Sequence, residues 1–471
     1  MVGITSYGMY LPFNRLERIH IGQAFGKRTP HGEKAVANYD EDSLTMAVSA
    51  AINCIGTKGS ATALNGVYFA STTPPNREKQ AAAHIASVLN VDGHIRTSDF
   101  NSTLRSGTNA MLAALDAARH DEEILVTAAD CRPAYADSSY EISFGDGAAA
   151  FTFGNHDVIA EYIDSYSVSY DFYDVWCSSD EKYPHFFDEK FSLDKGYVPF
   201  TVESIKGLMK RNDITQEQIA KIVIDAPSDR HAMSILRPAG FSPGLLQESL
   251  IKDFGYTGTA NALLLLACTL EKSRPGDLIL YVSYGEGSDA VLFKVCENVN
   301  NIGSGRGLDY FKNNKKNDMN YEKYLKWKKM MVFDPPRRMA LTRSNLPDFY
   351  RKRKKNLSCQ GSKCTECGTP HYPPSMVCVK CKAIEKMEPY SFKGRHAKLA
   401  TFAFDYVAFS EDSPNIVAVV DFEGGGRMFT YLMDCAMNDV VIGMPVELTY
   451  RKIFSVDGIH TYSWKCVPSN H

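Results

Sequence analysis

One stretch of this chain is written twice. Residues 107–130, "GTNAMLAALDAARHDEEILVTAAD", and 258–285, "GTANALLLLACTLEKSRPGDLILYVSYG", both open on Gly-Thr, run through a small-residue apolar helix and a charged turn, and end in a strand. A Gly/Asp turn and a last strand accompany each copy, "GDGAAAFTF" from Gly145 and "GSDAVLFKV" from Gly287. The two Gly-Thr pairs, at 107 and 258, stand 151 residues apart. A unit of this size used twice implies two similar halves packed about a pseudo-twofold axis. Upstream, "VGITSYGMYLP" reads as a strand, "DSLTMAVSAAINCIG" as an amphipathic helix, "GVYFAST" as a strand and "QAAAHIASVLNV" as a helix. This alternation over residues 1–298 predicts layered α/β structure.

The length, 471 residues, allows two or three domains with a large core. Hydrophobic residues at 44% and charged residues at 23% describe an ordinary soluble protein. No apolar run reaches membrane-spanning length, and the opening "MVGITSYGMYLPFNR" reads as a first strand rather than a signal peptide. The net charge of −3 says little about partners. Of 12 cysteines, eight are scattered (Cys54, Cys131, Cys177, Cys268, Cys296, Cys359, Cys435 and Cys466), mostly in apolar contexts. That usage suits buried thiols in a reducing cytoplasm.

Residues 299–358 change character. Between 309 and 356 there are 15 Lys/Arg against five Asp/Glu. The spacing of Tyr321, Tyr324, Leu325 and Trp327 predicts a helix, followed by a break at Pro335-Pro336. The segment reads as a basic helical connector. Its charge fits either a solvated face or a strip for coenzyme A phosphates or a partner surface; nucleic acid is disfavoured because no matching module accompanies it. Within 359–390, Cys364-x-x-Cys367, ten intervening residues and Cys378-x-x-Cys381 present four thiolates with structural Zn²⁺ spacing. His371 lies between the pairs, and Cys359, five residues ahead, reads as a bystander. From 391 to 471, about five strand-like segments with Gly turns predict a small β-barrel of OB type.

The repeated halves, "GDG" at 145–147, "SYGEGSDA" at 283–290 and the Gly-Thr helix starts resemble the thiolase superfamily. Within it, residues 1–298 are most similar to bacterial and archaeal 3-hydroxy-3-methylglutaryl-CoA (HMG-CoA) synthases and the initiating β-ketoacyl synthases; "NYEKYLKWKKMM" (320–331) looks like the end of the archaeal-type synthase. Residues 333–471 resemble the small family that joins a rubredoxin-like zinc ribbon to an OB-fold and accompanies acyl-CoA-handling thiolases. The resemblance implies a duplicated thiolase-like five-layer α/β fold, then a zinc ribbon and an OB-fold.

Family chemistry uses a Cys at a helix N-terminus, a His and an Asn that polarise a thioester carbonyl, and in the synthase a Glu acid/base. Counting from Asp99 and back from Gly107-Thr108 puts Leu104 in the nucleophile's place. The His position falls on Asp225, with Pro227 retained; the Asn position falls on Tyr256; the Glu position falls on Thr72 in "STTPP". Leu104 cannot form a thioester. Asp225 would bring negative charge where an oxyanion needs a donor, and Tyr256 alone is not a catalytic set. Arg230 falls where synthases often carry a cation near the coenzyme A phosphates. His231 is an ordinary surface or capping residue or, paired with Asp225, a relocated base; Cys131 is a buried thiol more readily than a rescued nucleophile; Asp146 reads as a turn residue.

The resemblance therefore implies a non-catalytic, acyl-CoA-binding subunit with Zn²⁺ in the ribbon, a homodimeric core and a catalytically intact thiolase or acyltransferase as partner. The alternative is a divergent synthase-like enzyme that acts on acyl-CoA without a Cys nucleophile.

Overall fold

Both copies of the repeat fold as a helix followed by an antiparallel strand pair. The computed structural model describes residues 1–57, 64–91, 93–303, 305–332, 334, 345–408 and 410–469. They form two units, one of Met1–Asn38, Asp42–Ile85 and Gly93–Met330, the other of Tyr39–Glu41, Ala86–Asp92 and Met331–His471.

In the first unit the principal elements, in chain order, are β1 (Gly3–Tyr10), α1 (Ser43–Gly56), β2 (Gly66–Ala70), β3 (Arg96–Phe100), α2 (Ser106–Ala118), β4 (Ile124–Asp130), β5 (Gly147–Gly154), β6 (Ala160–Ser169), α3 (Val198–Arg211), β7 (Ile219–Ile224), α4 (Asn261–Leu270), β8 (Leu278–Tyr284) and β9 (Gly287–Val295). The strand order is β7-β8-β9-β6-β1-β5-β4-β2-β3. From the centre outward, β1-β5-β4-β2 on one side repeats as β6-β9-β8-β7 on the other; β3 has no counterpart in that order. The halves meet where β1 pairs with β6 over only Gly3–Glu161 and Ile4–Ala160. Helices α2 and α4 pack on each other, and α4 touches β1 and β5 of one half and β7 and β8 of the other. Helix α1 covers β1, β5 and β4, and α3 covers β6, β9 and β8. The result is the thiolase-like α–β–α–β–α layering.

Sequence explains this local structure. Every residue of β5, "GAAAFTFG", is buried, as expected for a strand covered on both faces. Every residue of α4, "NALLLLACTL", is buried, as a helix with apolar residues on all sides requires. The Gly-Thr signature has a steric cause. A Cβ on Gly107 would lie 2.7 Å from the Thr259 carbonyl oxygen, so the two repeats touch through their backbones. Gly258 has φ +59, and its Cβ would lie 2.5 Å from Asp130 Oδ2.

The segment read as a basic connector is divided, since the first unit runs to Met330. Its helix, Tyr321–Trp327, buries Tyr321, Tyr324, Leu325 and Trp327. The break at Pro335-Pro336 lies outside the described residues. Asp146 is more than a turn residue: it is buried, accepts the Ala37 N–H at 2.7 Å and pairs with Lys328. A carboxylate out of water needs such donors and a counter-charge. The scattered cysteines also differ from expectation. Cys54, Cys268, Cys359 and Cys466 are buried, but Cys177 is exposed and Cys131, Cys296 and Cys435 are half-buried.

In the second unit, Gln360–Cys364 pairs with Pro370–His371 and Met387–Ser391 in a three-stranded antiparallel ribbon. A five-stranded antiparallel sheet follows, with Ala397–Asp405 at its centre between Asn415–Phe422 and Pro445–Val456, and Arg427–Tyr431 and Ile459–Pro468 outermost. The outermost strands approach each other: Leu432 bridges Cys466, and Thr430 Oγ1 donates to the Trp464 carbonyl at 3.0 Å. That contact closes the OB-fold barrel. Buried Arg451 pairs with Asp40 at 3.2 Å, Glu41 at 2.9 Å and Asp434, all within this unit.

Gly107→Ala tests the backbone contact between the repeats. The added methyl has to displace a carbonyl, so we expect a loss of roughly 1–3 kcal/mol, read as a lower urea midpoint with an unchanged m-value.

Candidate functional site

The repeat brings the loops at the C-terminal ends of β4 and β7 and the N-terminal ends of α2 and α4 to one place in the first unit. Leu104 sits just ahead of α2, whose N-cap is Arg105. Its neighbours are fixed from outside: Thr103 Oγ1 donates to Glu286, Arg105 pairs with Asp289 at 3.3 Å, and Arg105 Nη2 donates to Ser169 Oγ at 3.0 Å. Leu104 packs with Tyr140, Phe186 and Ile251 around buried Ala134, Phe144 and Tyr256. The Tyr256 backbone is held in turn, donating to the Ser143 carbonyl at 2.7 Å and accepting the Gly145 N–H at 3.0 Å.

Asp225 lies beyond this apolar cluster, 4% exposed at the end of β7. Its Oδ1 accepts from Asn261 Nδ2 at 2.9 Å and its Oδ2 from the Tyr256 hydroxyl at 3.4 Å. Its backbone carbonyl accepts from the Tyr197 hydroxyl at 2.7 Å. Burial pushes the Asp225 carboxyl up to about 7, with the Asn261 and Tyr256 hydrogen bonds and the Arg132 charge opposing. Burial, reinforced by the Asp225 charge, raises the Tyr256 phenol well above its ordinary range. The pair can therefore exchange a proton near neutrality at Asp225, while Tyr256 stays a donor.

Thr72 is half-buried, and its hydroxyl donates to Asp130 Oδ2 at 2.9 Å. The structure thus joins Leu104 to Tyr256 and Tyr256 to Asp225, and ties Thr72 to a separate carboxylate. Arg230 is exposed on the first turn of the helix Asp229–Ala239. His231 caps that helix with Ser228, its Nδ1 lying 2.7 Å from Ser228 Oγ, and its ring meets Tyr197 edge-on. Cys131 donates its N–H to Thr73 Oγ1 at 2.9 Å. Sequence reading missed Asn261 and Arg132. Asn261 had a visible signal: a polar residue opens an otherwise nearly all-apolar helix. A cavity of about 290 Å³ lies elsewhere, at the opposite end of α4, lined by Tyr7, Asn53, Glu271 and Arg306 among others.

In the second unit, Cys364, Cys367, Cys378 and Cys381 place their sulfurs within 4.8 Å of one another. The Cys364–Cys381 and Cys367–Cys378 separations are 3.6 and 3.5 Å. Tetrahedral thiolates around Zn²⁺ at about 2.3 Å lie roughly 3.8 Å apart, so the donor set fits the ion, and four thiolates fill its coordination. His371 is buried outside that group.

The fold and this knuckle define a thiolase-like α/β protein carrying a zinc ribbon and an OB-fold. Residues 361–385 match the family described as ChsH2, rubredoxin-like zinc ribbon domain, and residues 392–451 match ChsH2, C-terminal OB-fold domain. Among curated proteins, the hydroxymethylglutaryl-CoA synthase of Methanopyrus kandleri is 28% identical over 347 residues, covering 70% of this chain and 98% of the relative. That of Thermococcus gammatolerans is also 28% identical, covering 62% of this chain and 86% of the relative. Among solved structures, HMG-CoA synthase complexed with CoA matches at a TM-score of 0.62 with 20% identity, over 69% of this chain and 89% of that one. The 3-oxoacyl-[acyl-carrier-protein] synthase III of Aquifex aeolicus matches at 0.55 with 18% identity, over 62% and 100%. The chain therefore joins a thiolase-fold unit with HMG-CoA synthase homologues to a ChsH2-type zinc ribbon and OB-fold.

Two outcomes follow. Asp225 is protonated in the native state up to about pH 7, whereas in the unfolded chain it ionises near pH 4. Its stabilising contribution is complete below about pH 4 and is lost as pH rises through about 7. Asp225→Asn should flatten that decline and unfold at higher urea than the wild type at pH 8, with little difference at pH 4. For the ribbon, elemental analysis should find one zinc per chain, and Cys378→Ser should reduce it severalfold.

Proposed function

We propose that this chain is a non-catalytic, HMG-CoA synthase-like subunit that binds acyl-CoA and supports a partner thiolase or acyltransferase in making or breaking thioester carbon–carbon bonds. The observation that carries the reading is the setting of Leu104. An aliphatic side chain stands ahead of α2, where a helix N-terminus would favour a thiolate, and it packs against Phe144 and Tyr256. Without sulfur there, no acyl-enzyme forms, and the partner has to supply the nucleophile.

Leu104, Asp225, Tyr256 and Thr72 are then the altered counterparts of a condensing site. Arg230, exposed on its helix, is the proposed contact for coenzyme A phosphates. Zn²⁺ on Cys364, Cys367, Cys378 and Cys381 would stiffen the ribbon and take no part in chemistry. The ChsH2-type domains support association with a partner subunit, and the thiolase-like fold supports a homodimeric core. No helix among the described residues is long and apolar enough to cross a membrane, and none of the twelve cysteines forms a disulfide. Both facts agree with action in the cytoplasm.

A second reading has its own observation. Asp225 with Tyr256 and Asn261 is a buried acid/base group poised near pH 7, which would suit proton transfer on an acyl-CoA without covalent catalysis.

The purified chain, given acetyl-CoA and acetoacetyl-CoA, should bind thioester, release no CoA and show no acyl adduct by intact mass. Turnover should appear when a Cys-bearing thiolase partner is added. An adduct on a cysteine outside the ribbon would sink the non-catalytic reading. Turnover by the lone chain that Asp225→Asn abolishes would establish the second.

A further inference from the structure

Residues 170–197 connect β6 to α3, and a connection of this length is uncommon unless it has a function. Nine of these 28 residues are aromatic, against 11% over the whole chain, and seven are acids against three lysines. Four of the rings, with Phe200 of α3, stand in one row. Phe187–Phe191, Phe191–Phe172, Phe172–Phe200 and Phe200–Tyr170 have ring centroids 5.4, 5.7, 5.6 and 4.2 Å apart. The row has an ordered base. Gly196 admits the Phe172 ring, since a Cβ there would lie 2.4 Å from Phe172 Cε1. Asp188 caps the turn Glu189–Ser192 by accepting the Phe191 N–H at 2.7 Å. Even so, Phe187 is 53% exposed, Phe191 44% and Tyr170 43%. Large apolar side chains grouped this way in water mark a surface that another molecule covers, and aromatic residues dominate the centres of protein interfaces.

Acids are interleaved with these rings. Asp171 lies between Tyr170 and Phe172 in the chain, Glu189 lies between Phe187 and Phe191, and both are exposed. Glu203 accepts the Tyr170 hydroxyl at 2.9 Å. Such a surface repels anionic headgroups and phosphates. A guanidinium suits both of its features, because it stacks flat on an aromatic face and pairs with a carboxylate. We propose that this ring row docks an arginine-bearing segment of a partner protein. Acyl-CoA binding is not required for the contact. The partner would nevertheless sit one residue from the candidate site, since Phe186, next to Phe187, packs in the cluster of Leu104 and Tyr256.

Fluorescence anisotropy with the zinc-loaded full chain at physiological salt tests it, using a labelled twelve-residue leucine–arginine peptide and its lysine and glutamate forms. The arginine form should bind at least about tenfold more tightly than the glutamate form and about threefold more tightly than the lysine form. Phe187→Ser with Phe191→Ser, and separately Asp171→Lys with Glu189→Lys, should each weaken the arginine form at least about tenfold. All four positions are exposed, so both variants should keep the wild-type circular dichroism and zinc content. If the serine variant does not fold, the charge variant and the preference for arginine over lysine carry the test. No binding, equal binding of the arginine and glutamate forms, or a loss in the charge variant alone overturns the assignment. Sedimentation separates two other occupants. An oligomer of the pure chain that the serine variant dissociates assigns the row to a second copy. Binding to phosphatidylcholine vesicles that the serine variant loses assigns it to a lipid surface. Either result overturns the proposal.

Discussion

The geometry of the first unit turns on one buried carboxylate. Asp130 closes β4, is fully buried, and collects six donors on its two oxygens. Five come from the loop after β2 in the first half, and one comes from Thr259 at the entrance to α4 in the second. A carboxylate is tolerated out of water when its lone pairs are filled in this way. Because those donors belong to both repeats, the same charge that must be satisfied also fixes one half against the other. Gly258, with no side chain to intrude, lets the α4 entrance approach it.

Around that anchor, polar and apolar regions are sorted sharply. Leu104, Phe144 and Tyr256 form an apolar wall with Tyr140 and Phe186. Asp225 sits behind it with its oxygens engaged. A condensing enzyme of the Cys type needs a thiolate at a helix entrance and donors aimed at a developing oxyanion. In the proposed reading the hydrocarbon of Leu104 stands at that entrance, and donors from Tyr256 and Asn261 engage the Asp225 carboxyl group.

Much of this was legible beforehand, for physical reasons. Gly107-Thr108 and Gly258-Thr259 betrayed the duplicated fold because backbone contact between the repeats excludes side chains there. The four ribbon cysteines declared themselves because two Cys-x-x-Cys turns leave little choice of geometry. The proposed role of Leu104 rests on counting from fixed flanks, Asp99 and Gly107-Thr108. What escaped were groups whose meaning comes from distant neighbours. Arg132 looks like any surface cation until Phe144 covers it. Asp146 in "GDG" looks like a turn until Lys328, 182 residues later, reaches it. Cys177 follows "DFYDVW", which reads as core yet leaves the thiol exposed.

The strand order also dictates a sequence of assembly. β1 has as its neighbours β5, which begins at Gly147, and β6, which begins at Ala160. Strand β1 therefore stays unpaired until β5, well over a hundred residues further along, has been made, and contacts so far apart along the chain form slowly. An apolar strand left waiting with free edges is prone to pairing with another nascent chain, so this protein's yield in a cell should depend on how well β1 is chaperoned.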